Sequence, residues 1–114
     1  MNSRAKGMRA QRKLILVLQE MGYLVSKVEQ GGLYVKEKDM FSLFDLCCIR
    51  EDKLLLVQVT NNTPHTHRRF AEFSLKYDLT SVYYEQWVWF ARQGWKVFEY
   101  SGGKYKVIRD DRKK

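Results

Sequence analysis

Residues 44–61 read FDLCCIREDKLLLVQVTN, and this stretch decides the fold. Two short apolar runs flank the polar break Glu51-Asp52-Lys53, the pattern of two strands joined by a tight turn. Asp45 opens the first strand, and Gln58 and Thr60 lie near the end of the second. Side chains two apart on a strand share a face, so Gln58 and Thr60 point the same way, with Leu54 and Leu56 behind them. Antiparallel pairing across the turn brings Asp45 close to Gln58.

Upstream, residues 1–6 form a basic tail, and residues 7–21 carry Met8, Leu14, Ile15, Leu18 and Met21 on one helical stripe. Gly22 follows as a left-handed cap. Residues 23–28 alternate as a strand, Gln30-Gly31-Gly32 breaks it, and residues 33–40 form an extended loop or short strand. Downstream, the loop NNTPHTH (residues 61–67) carries the only proline. A second helix is expected over residues 67–77, with Phe70, Phe73 and Leu75 or Tyr77 inward. Residues 81–90 read as a long aromatic strand, with Tyr83, Trp87 and Trp89 on one face and Tyr84, Val88 and Phe90 on the other. Residues 95–100 and 104–108 form further strands around Ser101-Gly102-Gly103, and residues 109–114 are a charged, frayed tail. This order predicts one α/β domain over residues 1–114, a mixed sheet flanked by helices.

With 114 residues and 45% apolar content the chain holds a core of its own. A formal net charge of +8 on so small a domain points to a polyanion, nucleic acid before anionic membrane; the plainer alternative is a solvated charged surface. Cys47 and Cys48 are neighbours on a strand and face opposite ways, so they do not bridge each other; two free thiols suit a reducing, cytoplasmic setting. The basic first residues lead into an amphipathic helix, not a signal core, and no apolar run is long enough to span a membrane.

GMRAQRKLILVLQEMGYLV, FDLCCIREDKLLLVQVTN, RRFAEFSLKYDLT and GWKVFEY, in this order, resemble the archaeal Holliday junction resolvases of the restriction-endonuclease-like, PD-(D/E)XK nuclease superfamily. The resemblance implies a restriction-endonuclease-like fold, Mg²⁺-dependent cleavage of branched DNA, a homodimer, and a site built from a helix Glu, a strand Asp and a Glu-x-Lys pair. By position these fall at Gln11, Asp45, Gln58 and Thr60, so only the Asp is kept.

Phosphodiester hydrolysis needs a cation that neutralises developing charge and activates water. Mg²⁺ favours carboxylate oxygens. Asp45 supplies one, Gln58 offers an amide oxygen with no second charge, and Thr60 offers no ammonium to orient a water. The expectation is a site that binds without cutting, with Mg²⁺ held weakly by Asp45 and Gln58 or not at all. The alternative is an active endonuclease with relocated groups among Glu29, Lys53, His65, His67, Glu72 and Lys76. A third reading makes the fold a scaffold for RNA or protein. For DNA, Arg4, Lys6, Arg9, Arg12 and Lys13 cluster on and before the first helix, and His65, His67, Arg68 and Arg69 follow the hairpin. Cations of this kind grip phosphates without reading sequence. His65 and His67 could also hold a metal, but no third ligand is evident. The aromatic strand is a two-sided core, a dimer surface or a platform for bases.

Overall fold

The computed structural model describes residues 3–28, 41 and 43–112. The elements run α1 (Ser3–Glu20), β1 (Leu24–Lys27), β2 (Leu46–Arg50), β3 (Lys53–Asn61), α2 (His67–Lys76), β4 (Val82–Phe90), β5 (Gly94–Ser101) and β6 (Lys104–Asp110). The expected segment over residues 33–40, the break at 30–32 and Glu29 lie outside the described residues.

The six strands form one sheet in sequence order. All neighbours are antiparallel except β3 and β4, which are parallel and joined through α2. Parallel neighbours need such a crossover, whereas antiparallel ones need only a turn. The β2–β3 hairpin pairs Arg50 with Lys53, so its loop is Glu51-Asp52, tighter than the sequence suggests. Glu51 takes a left-handed φ of 53° there. The β5–β6 loop is Gly102-Gly103, both left-handed, as a two-residue hairpin that follows strand twist requires.

Helix α1 covers one face of the sheet. Ala10, Leu14 and Leu18, spaced by one turn, pack with Leu46, Cys48, Leu55, Val57, Trp87, Trp95 and Val97. Its end is a Schellman cap: Tyr23 N donates to Leu18 O and Gly22 N to Gln19 O, with Gly22 at φ 94°. The helix begins at Ser3, so positions 4–6 belong to it and not to a tail. Met21, expected on the buried stripe, is exposed because it lies beyond the last helical residue.

Helix α2 covers the other face, where Phe70 packs with Phe44, Leu56, Tyr84, Val88, Phe98 and Tyr100. Ser74, not Leu75 or Tyr77, turns inward beside Phe70. Its hydroxyl donates to Ala71 O and accepts from Gly103 N, which ties α2 to the β5–β6 turn.

Strand β4 is fourth of six and paired on both edges. Trp87 and Tyr84 are buried on opposite faces, so the two-sided core is the reading that holds along the middle of the strand, and the dimer-surface reading is corrected; Trp89, near the strand's end, is only partly buried. The final segment is also more ordered than expected. Strand β6 includes Arg109 and Asp110, and Asp111 N donates to Trp95 O. No helix among the described residues is long and apolar enough to cross a membrane.

Candidate functional site at the carboxyl end of the parallel strands

Strand β2 begins at Leu46, which pairs with Val57, while β3 runs on to Asn61. Past this point β2 no longer pairs with β3, and Asp45 takes over. Its backbone N donates to Val57 O at 2.8 Å, and its carboxylate Oδ2 accepts the Val59 N–H at 2.9 Å. The side chain thus replaces a ladder carbonyl and is fixed against β3 beside Gln58, as the hairpin register predicts.

Gln58 and Thr60 alternate with Leu56 and so face α2. Each is only 7% exposed. The Gln58 amide makes one long contact, Nε2 to Val59 O at 3.4 Å. The Thr60 hydroxyl is buried with no hydrogen-bond partner among the described residues. An unpaired buried hydroxyl is costly, and such atoms are infrequent in folded proteins. Gln11 is half-buried on α1, which covers the opposite face, so the structure does not bring it onto the face of Gln58 and Thr60.

The neighbouring column on β4 holds a residue that sequence reading missed. Gln86 sits beside Gln58 in register and is completely buried. Its Oε1 accepts from His65 N at 2.6 Å, and its Nε2 donates to Tyr100 Oη at 2.7 Å. Tyr100 Oη also hydrogen-bonds His67 Nδ1, 2.7 Å away. The imidazole stacks on Tyr105 with centroids 4.1 Å apart. Burial and the Lys96 charge hold its pKa below the usual histidine range. His67 thus anchors the 62–66 loop to the sheet, whereas the His65 side chain is exposed.

The cations divide between the two faces. Arg9, Arg12 and Lys13 are exposed on α1; Arg68 and Arg69 are exposed on α2. Arg68 forms a 2.8 Å pair with Glu72 on the surface. The side chains of Arg4 and Lys6 lie outside the described residues. Both groups flank the end of the sheet where β3 and β4 finish: Arg9 and Lys13 line a cleft with Asn61 and Trp89, and α2 starts just after the loop from β3. Among the described residues, the relocation candidates Lys53, Glu72 and Lys76 do not converge on Asp45. Lys53 lies at the hairpin turn, roughly 17 Å along β3 from Gln58, with its ammonium over Tyr23 and Tyr83. Glu72 is held by Arg68, and Lys76 lies over the Tyr77 ring.

Among the described residues the donor set does not fit a Mg²⁺ site. One carboxylate is already engaged by a backbone N–H, and the other positions are an amide and a hydroxyl. No group of three or more His, Cys, Asp or Glu residues that could hold a metal occurs among the described residues.

On the opposite side, Glu85 is buried and accepts Trp87 Nε1 at 2.8 Å, and burial raises its pKa. Cys48 is buried on the α1 face, where burial, Cys47 and Glu85 push its thiol up to about 12; Cys47 packs toward α2. Both cysteines are free, as expected of adjacent strand residues.

No protein-family model matches the chain, and no curated protein matches it. Among solved structures it is similar to Hjc, a Holliday junction resolvase from the archaeal hyperthermophile Archaeoglobus fulgidus. The TM-score is 0.60 at 15% sequence identity, over 82% of this chain and 76% of that one. The mixed sheet with a helix on each face, the β2–β3 hairpin and the crossover to β4 are therefore a resolvase-like nuclease fold of restriction-endonuclease-like architecture.

Proposed function

We propose that this protein binds branched or duplex DNA through the end of the sheet where β3 and β4 finish, and that its nuclease centre is degenerate. The observation that carries the reading is the pair Gln58 and Thr60. Both are buried beside Asp45, at the positions where the resemblance implies a metal-binding Glu and an activating Lys. Without the second carboxylate a divalent ion loses a large Coulomb attraction. Without the ammonium, no positive charge orients the attacking water at this position. What the chain keeps supports DNA binding: a +8 charge, and cations on both helices around this end. A homodimer, implied by the resemblance, belongs to the same proposal, although β4 is not its surface.

A gel assay with a four-way junction, a duplex and a single strand, each with and without Mg²⁺ or Mn²⁺, tests the reading. Salt-sensitive binding without cleavage is expected. Replacing Arg9, Arg12, Arg68 and Arg69 with Ala weakens binding to every DNA and flattens its salt dependence. Unchanged binding by that variant contradicts the assigned DNA surface.

A further inference from the structure

A cleft of about 340 Å³ opens between α1 and the carboxyl ends of β3 and β4, lined by Arg9, Ala10, Lys13, Asn61, Asn62, Trp89 and Ala91. Its position follows from topology. Strands β3 and β4 are the sheet's parallel pair, and Asn61 and Trp89 are register partners at their ends. The crevice outside the carboxyl ends of parallel strands is where α/β sheets take ligands. Asn61 follows Val57 and Val59 on the α1 face, opposite Gln58 and Thr60, so the cleft is separate from the degenerate centre.

Three features give the cleft its chemistry. Lys13 Nζ stands 4.1 Å from the Trp89 ring centroid, which holds a cation over the cleft instead of leaving it to swing in solvent. Asn62, at a left-handed φ of 60°, donates its backbone N–H to Trp89 O and accepts Ala91 N–H on its side-chain oxygen. That fixes the rim. Trp89 is itself braced by Trp95, with ring centroids 5.1 Å apart. A rigid indole, oriented amides and two cations suit a ligand that combines an anion, a flat ring and a polar edge. The volume lies near the lower bound for small-ligand sites, roughly 300–1,000 Å³, and has no room for a base pair.

We infer that this cleft receives one unpaired nucleotide of a DNA strand, with its phosphate on Lys13 and Arg9 and its base against Trp89 and Asn61. This rests on the proposed DNA binding and adds the feature recognised: a nucleotide freed from pairing at a branch or bulge. Reading such a base against an aromatic ring and polar side chains is expected to give about a tenfold preference, within the range that stacking one base contributes.

Binding to a blunt duplex is compared with binding to the same duplex carrying one extruded nucleotide, by fluorescence anisotropy. The protein is expected to favour the bulged duplex by about tenfold. Two variants are tested: Asn61→Leu, which removes the amide, and Ala91→Phe, which fills the cleft from an exposed position and leaves the core untouched. In each, the ratio of the two affinities is expected to fall toward one. Equal binding of both duplexes by the parent overturns the inference and leaves general DNA binding standing. A preference that survives Ala91→Phe overturns the assignment to this cleft. Absence of binding to either duplex overturns the DNA reading and this inference together.

Discussion

Two buried polar side chains on the α2 face of adjacent parallel strands differ in one respect. Gln86 spends both ends of its amide, on His65 N and Tyr100 Oη. Thr60, one column away on β3, is buried with its hydroxyl unpartnered. A fully bonded buried amide is a structural part. It fixes the 62–66 loop and, through Tyr100 and His67, the start of α2. An orphaned hydroxyl contributes nothing to the fold that an apolar group of the same shape would not. Thr60 is a buried polar position that the fold does not use, and Gln86 one that the fold depends on.

The comparison is sharpened first by removing Gln86. Gln86→Leu strands the Tyr100 hydroxyl and the His65 N–H in the interior, and a loss of about 2–4 kcal/mol of stability is expected in urea unfolding. A cost below about 0.5 kcal/mol would break the distinction. Thr60→Val, of matching shape, removes a buried group without a partner. It should be neutral or stabilise by up to about 1 kcal/mol. A clear destabilisation would reveal a partner for Thr60 and place it with Gln86.

The smallest effect concerns pH. The folded His67 pKa is held below its ordinary value of 6.5, first by burial and then by Lys96. The unfolded chain therefore takes up the proton first as pH falls. Stability is full above about 6.5 and declines through the window below it, modestly because the ring is partly exposed. Unfolding at pH 7 and pH 5 is expected to show the decline in the parent and a smaller one in His67→Leu. Equal slopes would detach His67 from the Gln86 chain.

Local pattern carried much of this fold. The Gly22 cap, the β2–β3 hairpin and the neighbourhood of Asp45 and Gln58 follow from periodicity and turn chemistry, which act over a few residues. What escaped depends on partners far along the chain. Ser74 faces inward because the β5–β6 turn docks on it through Gly103, and apolar periodicity favoured Leu75 instead. Gln86 looked like an interruption in an aromatic strand until β5 supplied Tyr100 as its partner. The aromatics of β4 suggested an external surface because strand order cannot be read from the strand alone. The basic clusters were visible as charge, but not their division between α1 and α2 on opposite faces of the sheet. At the site, strand alternation placed Gln58 and Thr60 on one face and the hairpin set Asp45 against β3, whereas Gln11 lies on α1, the helix that packs on the other face, a placement that only tertiary packing reveals.

The central claim, that the chain retains a resolvase-like frame around a centre missing its second carboxylate and its ammonium, is tested most directly by restoring both. Cleavage of a four-way junction with Mg²⁺ is measured for the parent, for Gln58→Glu with Thr60→Lys, and for that pair with Gln11→Glu added. The parent is expected to show no cleavage above background. The restored pair is expected to gain it by at least ~10²-fold, the low end of what general acid–base help contributes, with the gain abolished by Asp45→Ala. Strong cleavage by the unmodified protein, lost on Asp45→Ala, would contradict the account and show that the chain is an active nuclease working through other groups.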